Sequence, residues 1–237
     1  MNTFWMNPSI YYYIQTIELI LANARFARSS FLNYITETKE DGTMDEKRKD
    51  FLSLLMKLNS DLLFFLTSKP TVNAMWWNMC NLYCLINRVW KSLCEGNFQE
   101  AKIFCGTFVA KSKWDSDFNQ DGMSIVAFKM EELIFLLRSS MICENTETTT
   151  SKSDQDLRLI PMLKPVLICL NEMVCGPCRQ NIKIVLEFPN LYIYNIFSRQ
   201  LDDMNHQFYE LNDCLVIFML SLCEGFDPEV LKMFAKN

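Results

Sequence analysis

The stretch DEKRKDFLSLLMKLNSDLLFFLT, residues 45–67, decides the fold class. Its apolar residues Phe51, Leu54, Leu55, Leu58, Leu62, Phe65 and Leu66 recur at steps of three and four. That spacing gathers them into one stripe along an α-helix, whereas a half-buried strand would alternate at every second residue. A helix is therefore expected from about Asp45 to Thr67. Its single apolar face has to be covered by other elements. The basic run Lys47-Arg48-Lys49 at its start is short, flanked by acids, and reads as a solvated face.

The same pattern extends outward in both directions. Toward the N-terminus, Pro8 opens a first helix with Asn7 as its cap. That helix passes Ile14, Ile17, Leu21 and Leu32, with a break expected near Arg28-Ser29-Ser30, and Asp41-Gly42 punctuates the connection. Toward the C-terminus, helices are expected over about Val72–Glu95, Phe98–Ala110 and Met123–Cys143. In the last of these, Ile125, Phe128, Leu133, Leu136 and Leu137 are candidate core positions. Gly96 can stop the helix before it in the left-handed conformation.

Residues 144–156 are rich in Thr, Ser and acids, with no apolar side chain until Leu157, so they read as an exposed loop. This loop divides an N-terminal helical segment, 1–143, from a C-terminal one, 157–237. The second segment opens with a helix from Leu157 to Val174, complicated by Pro161 and Pro165. Gly176-Pro177 breaks it, and helix resumes to about Phe188. Residues Pro189 to Leu201 include Tyr192, Ile193, Tyr194, Ile196 and Phe197, which a strand would also accept. A long helix follows from Met204 to Glu224. Gly225 stops it, and Asp227-Pro228 opens a short terminal helix. The expectation is an all-α protein, with antiparallel helix pairs in an armadillo-like solenoid or an irregular bundle. Ser92-Leu93-Cys94-Glu95-Gly96 recurs as Ser221-Leu222-Cys223-Glu224-Gly225, a hint of internal repetition.

Composition narrows the function classes. The 237 residues include only 6 Gly and 7 Pro, which suits long regular elements better than a glycine-loop nucleotide fold. A net charge of −5 argues against a nucleic-acid footprint, which needs clustered Lys and Arg. Most of the 10 cysteines sit inside apolar helical patterns and read as small buried hydrophobes. With no basic leader ahead of an apolar stretch, the expected compartment is reducing and cytoplasmic. No uninterrupted apolar run reaches about 18 residues, so no direct membrane span is expected in this chain.

Cys175-Gly176-Pro177-Cys178 is the first motif with chemistry. Thioredoxins use the same tetrapeptide, with a helix N-terminus lowering the pKa of the first thiol. Here no aromatic residue precedes Cys175 and no clear strand–helix alternation follows, so a helix break between two partly buried cysteines competes with a thiol-disulfide site. Asp115, Asp117, Asn119 and Asp121 precede Gly122 as a partial calcium loop. Phe128 stands where the closing carboxylate would be, which leaves Asp117, Asn119 and Asp121 as candidates only. Cys80 and Cys84 share a helix face, and with Cys175 and Cys178 they could make a four-thiolate zinc site if the pairs met. The lone His206 has no distinctive nucleophile partner. Trp5 and Trp76-Trp77 could form a binding patch, with core packing the competing role. No cofactor is expected.

Three segments together resemble the inositol trisphosphate receptor and ryanodine receptor family of calcium-release channels. The first is Leu93-Cys94-Glu95-Gly96-Asn97 with Glu100 and Phe104. The second is Leu170-Asn171-Glu172 followed by Gly176-Pro177-Cys178-Arg179-Gln180-Asn181. The third is Leu215 to Gly225. In order and spacing they resemble the RIH-associated region of those channels, from about Val72 onward. Ile182 departs from the family's Gln, and the Thr-rich loop lengthens the first gap. The resemblance implies a non-catalytic helical scaffold at the cytosolic face of the endoplasmic reticulum membrane. Such a scaffold would relay conformational change or bind a protein partner or the remaining channel regions. It implies Gly176, Pro177, Cys178 and Asn181 as a structural motif. The open alternatives are an unrelated intracellular helical interaction module and a thiol-disulfide oxidoreductase using Cys175 and Cys178.

Overall fold

The computed structural model describes residues 8–37, 46–68, 72–96, 98–110, 123–142, 152–176, 178–188 and 206–224. They form helices α1 (Pro8–Asn23), α2 (Arg25–Thr36), α3 (Glu46–Ser68), α4 (Ala74–Cys94), α5 (Gln99–Thr107), α6 (Ile125–Ile142), α7 (Lys152–Val174), α8 (Arg179–Glu187) and α9 (His206–Cys223). Two-residue strands β1 (Val109–Ala110) and β2 (Met123–Ser124) pair antiparallel where α5 leaves and α6 begins. The fold is all-α, as the periodicity of residues 45–67 requires.

The helix order is antiparallel in sequence and parallel in one layer. At the α3–α4 turn, the indole Nε1 of Trp76 donates to the carbonyl oxygen of Leu66 at 3.1 Å, so the end of one helix meets the start of the next. α6 and α7 pack against each other. By contrast, α1, α4, α7 and α9 pack side by side with their C-terminal ends together. The Arg28 guanidinium bonds the carbonyl oxygens of Leu21, near the end of α1, and of Glu95, just past α4. Ser221 Oγ on α9 donates to Asn171 Oδ1 on α7 at 2.7 Å, and Gly176 N donates to Glu224 Oε2 at 3.1 Å. Short helices α5 and α8 lie against each other at this C-terminal edge. One hydrophobic core runs through both halves of the chain, from Ile14 and Leu21 to Phe218 and Leu222.

Several local expectations shift. The break after α1 falls at Ala24, whose φ of −141° and ψ of 112° are extended, and not at Arg28-Ser29-Ser30. Arg28 reads as polar punctuation in sequence, yet its guanidinium reaches back to α1 and staples the kink. α5 ends at Thr107 because the chain goes into β1, and α6 starts at Ile125 with Ser124 Oγ accepting from Ala127 N at 3.2 Å. α7 begins at Lys152, so the last five residues expected in the loop are helical. Pro161 and Pro165 lie inside α7. Proline at 165 cannot donate to the carbonyl of residue 161. The Cys84 thiol of α4 donates to that oxygen instead, at 3.3 Å. Asn7, Asp41-Gly42, Tyr192 to Phe197, Gly225 and Asp227-Pro228 lie outside the described residues.

α3 is the one helix among the described residues with the length and hydropathy to cross a bilayer, over Phe51–Ser68. Leu52, Leu55, Leu58, Leu62 and Leu66 are buried in the protein core, and its Asn59 is hydrogen-bonded inside it.

Candidate functional site

The two helix stops read from the sequence are built alike. Gly96 has φ +72° and Gly176 has φ +75°, the left-handed region that ends a helix without a Cβ penalty. Two residues after each glycine, Phe98 and Cys178 occupy the N-cap positions of α5 and α8, with φ of −73° and −85°. Each short helix is 9 residues long and closes on a phenylalanine, Phe108 and Phe188. The α4–α5 and α7–α8 units thus repeat the same helix–stop–helix device. The sequence echo at Ser221 to Glu224 ends α9, and its Ser221 and Glu224 bond Asn171 and Gly176 at the α7 stop.

Lys102 of α5 is fully buried between these units. Its ammonium donates to the Cys175 carbonyl at 2.8 Å and to the Cys175 sulfur at 3.1 Å. A cation at a helix C-terminus neutralises the negative end of the dipole and satisfies a carbonyl with no helical partner. Asn181 of α8 completes the node. Its Nδ2 donates to the carbonyls of Lys102 and Met173, both at 2.8 Å, which ties α5, α7 and α8 together. Its Oδ1 faces Gly106 so closely that a Cβ at 106 would collide with it. Sequence reasoning singled out Gly176, Cys178 and Asn181 but missed Lys102 and Gly106. A lysine in an apolar helical pattern was the available signal for the first.

The dithiol motif is split across this junction. Cys175 follows the C-terminal end of α7 and is half-buried, while Cys178 is 4% exposed and caps α8. Burial pushes the Cys175 thiol up, against the partial lowering by Lys102. Burial likewise raises Cys178, against the Asn181 N–H. Neither thiol has the depressed pKa that makes a ready nucleophile at neutral pH. Pro177 lies outside the described residues. Cys94 and Cys105, at the α4–α5 stop, bring their sulfurs to 3.7 Å, both buried.

A second polar cluster lies where α3, α4 and α6 meet. The Lys129 ammonium is fully buried and bonds Glu132 Oε2 at 2.7 Å and Asn87 Oδ1 at 2.8 Å. Asn59 of α3 donates to the other Glu132 oxygen. Burial, then the Glu132 carboxylate, hold the nearby Tyr83 phenol well above its usual range. The pair is internally neutral and hydrogen-bonded to both neighbouring helices, the condition for keeping charges in a core.

The other candidates are not brought together. Cys84 sits opposite Pro161, about 20 Å along the α7 axis from Cys175, so the two cysteine pairs do not converge on one metal. Among the described residues no group of three His, Cys, Asp or Glu side chains is arranged to hold a metal. Asp115, Asp117, Asn119 and Asp121 lie outside the described residues, as do Trp5 and the side chain of His206. Trp76 is core, with Trp77 exposed beside it in an edge-to-face contact. Compared with protein families, characterised proteins and solved structures, the chain matches none.

Proposed function

We propose that this chain is a non-catalytic helical scaffold related to the cytosolic regulatory region of intracellular calcium-release channels. On this reading it binds a protein partner or other channel regions and passes conformational change between them. The observation that carries the reading is the Lys102–Cys175–Asn181 node. In the segment that resembles the channel family, Gly176 to Asn181, Cys178 and Asn181 are buried and Asn181 is tied to two other helices. A joint of this kind transmits a tilt of α7 to α5 and α8, because the bonds cross all three. Cross-linked affinity purification of the tagged chain from its source cell tests the proposal. Recovery of a calcium-release channel, reduced by Asn181→Ala in a folded variant, is the expected result. Recovery of a different stable partner, with no channel, favours an unrelated helical interaction module.

A further inference from the structure

α4, α7 and α9 share one register when each is counted back from the glycine that follows it in sequence, Gly96, Gly176 or Gly225. Cys84 and Lys164 stand 12 residues before the first two of these glycines. Each reaches the next long helix at the residue 15 before that helix's own glycine. The Cys84 thiol of α4 donates to the Pro161 carbonyl oxygen of α7 at 3.3 Å, and the Lys164 ammonium of α7 bonds the Glu210 carboxylate of α9. One step therefore carries α4 onto α7 and α7 onto α9. Asp213 of α9 stands in the same place as Cys84 and Lys164, 12 residues before Gly225. It is exposed, and so are Val216, Ile217 and Leu220 beyond it, Leu220 at 61%. Positions three, four and seven apart fall on one helix face. The outer face of α9 thus repeats the docking register of α7, with a carboxylate where α7 has an ammonium.

We infer that this face docks a helix of another protein, beside α9 and in the same direction, with a Lys or Arg opposite Asp213 and an apolar stripe over Val216, Ile217 and Leu220. The partner helix continues the α4–α7–α9 layer, and the Lys164–Glu210 pair recurs there with its signs exchanged. Charge selects against a second copy of this chain. α1, the other edge helix of the layer, carries no Lys or Arg, and a second α9 in this register would set Glu210 against Asp213. The inference deepens the partner-binding part of the proposed function and does not depend on kinship with a channel. A channel missing from the affinity purification would leave it standing.

The probe is a hydrocarbon-stapled peptide of residues 206–224 carrying Glu210→Lys, because that helix already fits the equivalent face of α7. The unsubstituted peptide is its comparison, and fluorescence anisotropy reads binding to the full chain. The Glu210→Lys peptide is expected to bind about three- to tenfold more tightly than the unsubstituted one. Asp213→Lys in the protein should invert that order. Leu220→Glu should weaken both peptides about tenfold or more, with folding checked by circular dichroism. Failure of both peptides to bind overturns the inference, and so does an order that Asp213→Lys leaves unchanged. Binding that appears only on deleting residues 226–237 gives the face to the chain's own terminus and overturns it. Self-association without peptide that Leu220→Glu abolishes gives the face to a second copy and overturns it as well.

Discussion

The ammonium of Lys102 lies 2.8 Å from the carbonyl oxygen of Cys175 and 3.1 Å from its sulfur, so a buried cation on one short helix caps the long helix of the next unit. Lys102→Met keeps the stem and removes the donor. The substitution is expected to cost about 1–3 kcal/mol, because the carbonyl at the end of α7 is left without its partner. It should also raise the Cys175 pKa further, since Lys102 is what lowers it. Urea unfolding and the pH dependence of Cys175 alkylation measure the two effects separately.

Gly106 and Asn181 form a tight pair between α5 and α8. Gly106→Ala is expected to destabilise the fold by about 1–3 kcal/mol, as overpacking does. Asn181→Ala removes two bonds to buried carbonyls and should cost at least as much. The double variant should cost clearly less than the sum, because the new methyl no longer meets the amide oxygen. A double-mutant cycle in urea tests this, and strict additivity would show that the two side chains do not meet.

The buried pair of Lys129 and Glu132 predicts an asymmetry. Lys129→Met leaves Glu132 buried and uncompensated, an expected loss of about 3–5 kcal/mol. Replacing both by leucine-sized apolar residues should recover much of that loss. Midpoints of chemical unfolding for the two single variants and the double decide it.

Proline at 165 and the thiol of Cys84 are coupled across α4 and α7. Cys84→Ala is expected to cost about 1 kcal/mol by leaving the Pro161 oxygen without a donor. In a Pro165→Ala background the helix can bond that oxygen itself, and the same cysteine change should cost less. Equal costs in both backgrounds would remove Cys84 from this role.

Several thiols sit above their usual pKa. The contact with the Cys105 sulfur, then burial, raises Cys94, while burial leads the rise at Cys169, Cys175, Cys178 and Cys214. The folded state therefore holds protons that the unfolded chain releases near pH ~8.5. Unfolded binding of fewer protons gives a negative slope, so stability is fully present below about pH 8.5 and falls above it. For a fully buried thiol such as Cys169, the withheld proton contributes about 1.4 kcal/mol per pH unit. Unfolding free energies measured from neutral to alkaline pH under reducing conditions should decline, and Cys169→Ala should flatten the decline.

The helices were legible in the sequence because their signal is local. Three- and four-residue spacing from Phe51 to Leu66 gives α3, and single glycines at 96 and 176 give the ends of α4 and α7. What was not legible depends on partners distant in sequence. Pro161 and Pro165 read as obstacles to a helix, but α4 supplies the thiol that makes the second one tolerable. Arg28 read as a break because its acceptor at Glu95 is 67 residues away. Of the node, Gly176, Cys178 and Asn181 stood out as a motif. Lys102 and Gly106 did not, since their meaning comes only from facing Cys175 and Asn181.

We propose that the Cys175 and Cys178 thiols serve a helix joint held by Lys102 and Asn181, and not a redox reaction. Insulin reduction by the wild-type chain and by Cys175→Ser, with a dithiol as electron donor, tests it most directly. The expected result is no turnover above the uncatalysed rate for either protein. Robust reduction by the wild type that disappears in Cys175→Ser would contradict it.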